Sequence, residues 1–134
     1  MKSDLFLDTN VLVYFLDAGS TKADQSERLI RAGATISVQV LNEFVNAARR
    51  KYRMPIADIR LVLSGVKKTC AVVPVTVNVH ERGVRLIERY QFSANDSMIV
   101  AAALEAGCTT LLTEDMNDGQ VIDGLTIRNP YAAA

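Results

Sequence analysis

Two rhythms of apolar residues alternate along the chain. Short leucine-rich or β-branched runs, Leu5-Phe6-Leu7, Ala34 to Val38, Cys70 to Val75 and Thr109 to Thr113, read as buried strands. Between them, apolar side chains return at every third or fourth position, as on one face of a helix. That spacing predicts helices over Asn10 to Leu16, about Lys22 to Arg31, about Val40 to Tyr52, Pro55 to about Lys68, Thr76 or Asn78 through Tyr90, and Asp96 to Ala106. Thr9 is the expected cap of the first helix, and Gly33 and Gly107 stand where a helix ends. Pro55 suits a first helical turn, where its missing N–H would have gone unpaired. Pro74 cannot donate to a ladder, which argues that the third strand lies at an edge or stops there. Leu125 to Arg128 offers a fifth short strand, reached through the loop Glu114 to Gly124 without room for a covering helix.

Most successive strands are separated by two helices, and strands alternating with helices give a parallel sheet covered on both faces. The expected architecture is a three-layer α/β/α domain with a mostly parallel central sheet of about five strands, one domain over residues 1–134. At 134 residues such a chain buries roughly two-thirds of its unfolded surface. No linker, repeat or low-complexity tract interrupts it; only the tail Ala132 to Ala134 is expected to fray.

Composition narrows the field. With 49% hydrophobic and 22% charged residues the chain falls among ordinary globular proteins. Uncharged stretches such as Ser97 to Leu104 are far short of the ~20 residues of a membrane span. Lys2 and Asp4 beside a three-residue apolar run do not resemble a secretory signal, so a cytoplasmic protein is expected. Cys70 and Cys108 lie in apolar surroundings without CxxC spacing, which argues for small core residues rather than a disulfide framework or a zinc site. A formal net charge of zero leaves no overall field to attract nucleic acid, so any such role must rest on local patches.

Four acids occupy positions that a surface carboxylate would avoid. Asp8 follows the first strand directly, at the carboxyl end where open α/β sheets place their ligand sites. Glu43 lies on or beside the stripe marked by Val40, Phe44 and Ala47. Asp96 opens a helix on the side of Ile99, Val100 and Ala103. Asp115 comes just after the fourth strand, the topological counterpart of Asp8. At ~5 Å and an effective dielectric of ~20, each pair of carboxylates would repel by roughly 3 kcal/mol. A cation relieves that repulsion, and an all-oxygen set of Asp and Glu with no Lys or Arg inside these motifs suits Mg²⁺ or Mn²⁺. A loaded site of this kind attracts a phosphodiester, polarises its phosphoryl oxygen and activates water. Taken singly, Asp8 and Asp96 also read as helix caps, Glu43 as a core-edge acid bound to backbone, and Asp115 as loop chemistry. Asp118, next to Gly119, reads first as a turn residue.

Leu-Asp-Thr-Asn at 7–10, Asn-Glu-Phe at 42–44, Asn-Asp-Ser-Met-Ile-Val-Ala-Ala-Ala at 95–103 and Leu-Leu-Thr-Glu-Asp-Met at 111–116 resemble the four acidic motifs of PIN-domain ribonucleases. The resemblance is nearest to VapC-like toxins of type II toxin–antitoxin pairs and extends over nearly the whole chain. It implies Mg²⁺- or Mn²⁺-dependent hydrolysis of RNA phosphodiesters, inhibition by a cognate antitoxin, and a homodimer. By position, Asp8, Asp96 and Asp115 match metal ligands and Glu43 the remaining acid, a ligand or a base positioning water. Thr9, Asn10 and Thr113 fall in supporting places, with Asp118 as an outer contributor.

Two other readings compete: an inactive PIN-like module that binds RNA or protein, and a phospho-accepting receiver domain. The receiver class needs an acceptor Asp ending its third strand, where this chain has Val72-Val73-Pro74-Val75. Among remaining features, His80 is spaced with Val77, Val84 and Ile87 and reads as a core or core-edge residue. Arg49-Arg50-Lys51-Tyr52-Arg53 reads as a solvated helix end with a phosphate-binding alternative. Core packing is the first reading of Tyr14 and Phe15, with a dimer or antitoxin surface second.

Overall fold

A computed structural model describes residues 3–132; of the tail expected to fray, Ala133 and Ala134 lie outside the described residues. The sequence folds as strand-helix-helix three times over. β1 (Leu5–Leu7) leads through α1 (Thr9–Tyr14) and α2 (Thr21–Arg31) to β2 (Thr35–Ser37). Then α3 (Val38–Arg50) and α4 (Ile56–Thr69) lead to β3 (Ala71–Val73), and α5 (Val77–Tyr90) and α6 (Ala94–Glu105) to β4 (Thr110–Leu112). The chain closes on β5 (Val121–Ile122) and β6 (Leu125–Arg128).

These strands form one six-stranded sheet in the order β3-β2-β1-β4-β6-β5, sandwiched in a three-layer α/β/α fold. Every pairing is parallel except the terminal β5–β6 ladder. Six strands replace the expected five, because Val121–Ile122 folds back on Leu125 through a two-residue turn. Ile122 pairs with Leu125, and Asp123 (φ +50°) with Gly124 (φ +89°) supplies the left-handed backbone that such a hairpin requires. β3 is an edge strand, and Pro74 lies just past its end.

The core is the sheet and the helix faces that cover it. Phe6, Leu7, Ile36, Leu111 and Ile127 are buried in the strands, and Val11, Leu12, Val40, Phe44, Ile99 and Val100 meet them from the helices. Cys70 and Cys108 are buried there too. Four caps are serine or threonine: Ser20, Ser37, Thr76 and Ser93 accept backbone N–H groups at the starts of α2, α3, α5 and α6. The first helix departs from the reading above, for Asp8 and not Thr9 is its cap. His80 also departs from it. The buried stripe of α5 is Val79, Gly83 and Leu86, so Val77, His80 and Val84 face water instead. Among the described residues no helix is long and apolar enough to cross a membrane.

Candidate metal-binding active site

The strand order reverses between β1 and β4: β2 and β3 extend one way from β1, β6 and β5 the other way from β4. Parallel register pairs Leu7 with Leu112, so both strands end at one level. Just beyond those ends, Asp8 after β1 and Asp115 after β4 open into the same cleft of about 490 Å³, with Thr113 buried beneath them. Such a reversal point at the carboxyl ends is where a parallel sheet leaves room for a ligand. Glu43 enters from α3 and Asp96 from the first turn of α6, so all four singled-out acids line this cleft.

Asp8 is the most enclosed of them, only 5% exposed. Its Oδ1 accepts the Thr9 N–H at 2.6 Å as the cap of α1, and its Oδ2 accepts the Thr113 hydroxyl at 2.8 Å. Burial pushes its carboxyl up to about 6; the Thr113 and Thr9 hydrogen bonds hold it down, while the charges of Asp96 and Glu43 raise it further. Asp96 is also raised, first by burial and then by Asp115 and Glu43, with a hydrogen bond to Ser93 opposing. Ser93 rather than Asp96 caps α6, which leaves the Asp96 carboxylate on the cleft. Asp8 therefore does both things its sequence position suggested, capping a helix and facing the other acids.

The neighbouring polar residues tie these carboxylates together. Thr9 donates its hydroxyl to Glu43 Oε1 at 2.5 Å. The Asn10 Nδ2 amide lies 3.1 Å from Asp115 Oδ2, 3.1 Å from Thr113 Oγ1 and 3.4 Å from Asp8 Oδ2. Thr113 Oγ1 also accepts the Asp115 N–H. Asp118 is placed elsewhere: its carboxylate accepts the Asn129 N–H at 3.0 Å, outside the cleft lining.

Three more residues line the cleft: Glu114, which the sequence reading did not single out, Tyr14, read first as core packing, and Lys51, read first as part of a solvated helix end. Tyr14 donates its hydroxyl to Glu114 Oε1, while Lys22 Nζ bonds Oε2 at 2.5 Å. Lys22 is the first reason that the Glu114 carboxyl falls below its usual range, Tyr14 the second. Lys51, at the end of α3, is also on the cleft wall. Glu114 had a signal in the sequence, since it leaves β4 one residue before Asp115.

The chemistry of the donors fits a hard cation. The four acids make no ion pair with Lys or Arg among the described residues, and their charges act on one another across the cleft. As they stand, no three His, Cys, Asp or Glu side chains among the described residues are gathered closely enough to hold an ion. Oxygen donors spaced this openly suit an ion that keeps part of its water shell, as Mg²⁺ does.

The sequence matches the family model of the PIN domain over residues 5–118. No curated protein matches it. Among solved structures it is similar to a toxin–antitoxin complex from Klebsiella pneumoniae, at 23% identity and TM-score 0.72, over 96% of this chain and 99% of that one. DNA-bound VapBC from Salmonella typhimurium is 18% identical, with TM-score 0.71 over 97% and 99%. Mycobacterium tuberculosis VapC20, a sarcin–ricin-loop-cleaving toxin, is 19% identical, with TM-score 0.63 over 80% and 86%. These likenesses are of fold.

Proposed function

The chain belongs to the PIN domain family, and from that premise we propose that it is a Mg²⁺- or Mn²⁺-dependent endoribonuclease, the toxin of a type II toxin–antitoxin pair. The observation that carries this reading is the convergence of Asp8, Glu43, Asp96 and Asp115 on one cleft, none of them ion-paired with Lys or Arg among the described residues. Asp8, Asp96 and Asp115 would hold the ion, with Glu43 as a further ligand or the acid that orients water. When bound, the ion supplies charge neutralisation for a phosphodiester and lowers the pKa of water.

The protein's own residues prepare the site. Thr9 fixes one oxygen of Glu43, leaving the other to accept a proton from water. Asn10 and Thr113 hold Asp8 and Asp115 at a fixed separation, so little reorganisation is needed when charge develops. Lys51 gives the mouth of the cleft a cation for a phosphate of the RNA backbone. The proposal includes a cognate antitoxin and a homodimer; the antitoxin draws support from a solved neighbour that is a toxin–antitoxin complex.

Incubating structured RNA with wild-type protein and Asp8→Asn, each with Mn²⁺ and with EDTA, tests the reading. Cleavage by wild type in Mn²⁺ alone is expected, with a loss of at least a hundredfold in Asp8→Asn. RNA retained by the wild-type protein but cut at equal rates by both would sink the nuclease assignment and favour a binding module.

A further inference from the structure

Asp115 is the most exposed of the four acids. It stands in a bend beyond β4 rather than in a strand or helix, and its carboxylate is reached by Asn10 alone among the described hydrogen bonds. Its neighbours in sequence are held instead. On one side, Glu114 is bound by Tyr14 and Lys22; on the other, Asp118 accepts the Asn129 N–H. Both anchors lead to the same residue. Asn129 Oδ1 accepts the Tyr131 N–H at 2.9 Å, and the Tyr131 ring lies edge-on to Tyr14 with centroids 5.1 Å apart. Lys22 Nζ sits 4.6 Å from the Tyr14 ring centre and 5.4 Å from that of Tyr131. The Tyr131 hydroxyl is fixed in turn on α2, 2.5 Å from the Ser26 Oγ, which is wholly buried.

We propose that Tyr131, Lys22 and Tyr14 form a latch that fixes the position of Asp115, and hence the metal affinity of the cleft; they are positioning residues, not catalytic ones. The inference rests on the metal-binding reading given above. Outer partners that orient ligands cost metal affinity when removed, whereas a half-exposed ion pair such as Lys22–Glu114 adds little to stability. The two roles therefore separate experimentally.

The test is Mn²⁺ titration followed by electron paramagnetic resonance, with amide exchange of residues 114–120, on wild type, Asp8→Asn, Tyr131→Ala, Lys22→Met and Lys22→Arg. Lys22→Met and Tyr131→Ala are each expected to weaken Mn²⁺ binding about tenfold and to speed exchange around Asp115, with Lys22→Arg restoring both. Wild-type affinity and exchange in a folded Lys22→Met protein would overturn the latch, even if Tyr131→Ala were too unstable to measure. A wild type that binds Mn²⁺ no better than Asp8→Asn would overturn the metal reading instead. Exchange around Asp115 would then decide the latch by itself, unchanged rates in Lys22→Met counting against it.

Discussion

Asp8 carries two obligations that oppose each other as pH changes. Its carboxyl titrates near 6 rather than at the ordinary 3.8, chiefly because it is buried. Between those values the folded chain keeps a proton that the unfolded chain has released, so raising the pH through the window costs stability. At about 1.4 kcal/mol per pKa unit, the loss on reaching neutral pH is at most about 3 kcal/mol. Asp96 is shifted the same way and adds to the trend. In metal-free protein, Asp8→Asn should therefore gain stability relative to wild type between pH 4.5 and 7.5; equal differences in denaturant midpoint at both values would refute the assignment. Thr113 sharpens the point. Its hydroxyl is the strongest influence holding the Asp8 carboxyl down, so Thr113→Val should move that titration above 6, which carboxyl NMR can follow. Metal affinity should fall as the pH drops through the same range, because ligands must be ionised to bind.

At the level of elements, the alternation of strands and paired helices was legible because buried runs and amphipathic stripes carry their own periods. Two of the departures have local physical causes. β5 is only two residues long, too short to show a period, although Asp123-Gly124 between Val121-Ile122 and Leu125-Thr126 was a hairpin signal. His80 was assigned inward because Val77 and Val84 are apolar; the stripe that is buried passes through Gly83, and glycine announces no hydrophobicity. Asp8, Glu43 and Asp96 were legible because each is displaced from where solvent would keep it, and exposed Asp115 because it follows β4 as Asp8 follows β1. Glu114, Lys22 and Tyr131 were not, because their meeting joins α1, α2, the β4 exit and the chain's last turn, a juxtaposition no local pattern encodes. Helix α6 permits one prediction of its own. The Ser97 hydroxyl is buried and is the one such side-chain polar atom without a hydrogen-bond partner among the described residues. Ser97→Ala removes that penalty and improves helix propensity, so it should raise the midpoint of thermal unfolding by a degree or more in scanning calorimetry.

Considered whole, the molecule leaves large apolar side chains in water: Leu61 is 74% exposed, Val77 71% and Ile56 59%. The proposed homodimer would cover some of them. Light scattering after size exclusion should return twice the chain mass of 14.7 kDa for the isolated protein; a single-chain mass at micromolar concentration would remove the homodimer from the proposal. The sheet order has a last consequence, for synthesis rather than catalysis. β1, made first, is paired on one side with β4, and the bond that seats Asp8 comes from Thr113, 105 residues later. Contacts so distant in sequence form late in folding. On the proposed function, a ribosome making this stretch therefore holds no assembled site until Thr113 and Asp115 have emerged, and cleavage of RNA waits on them.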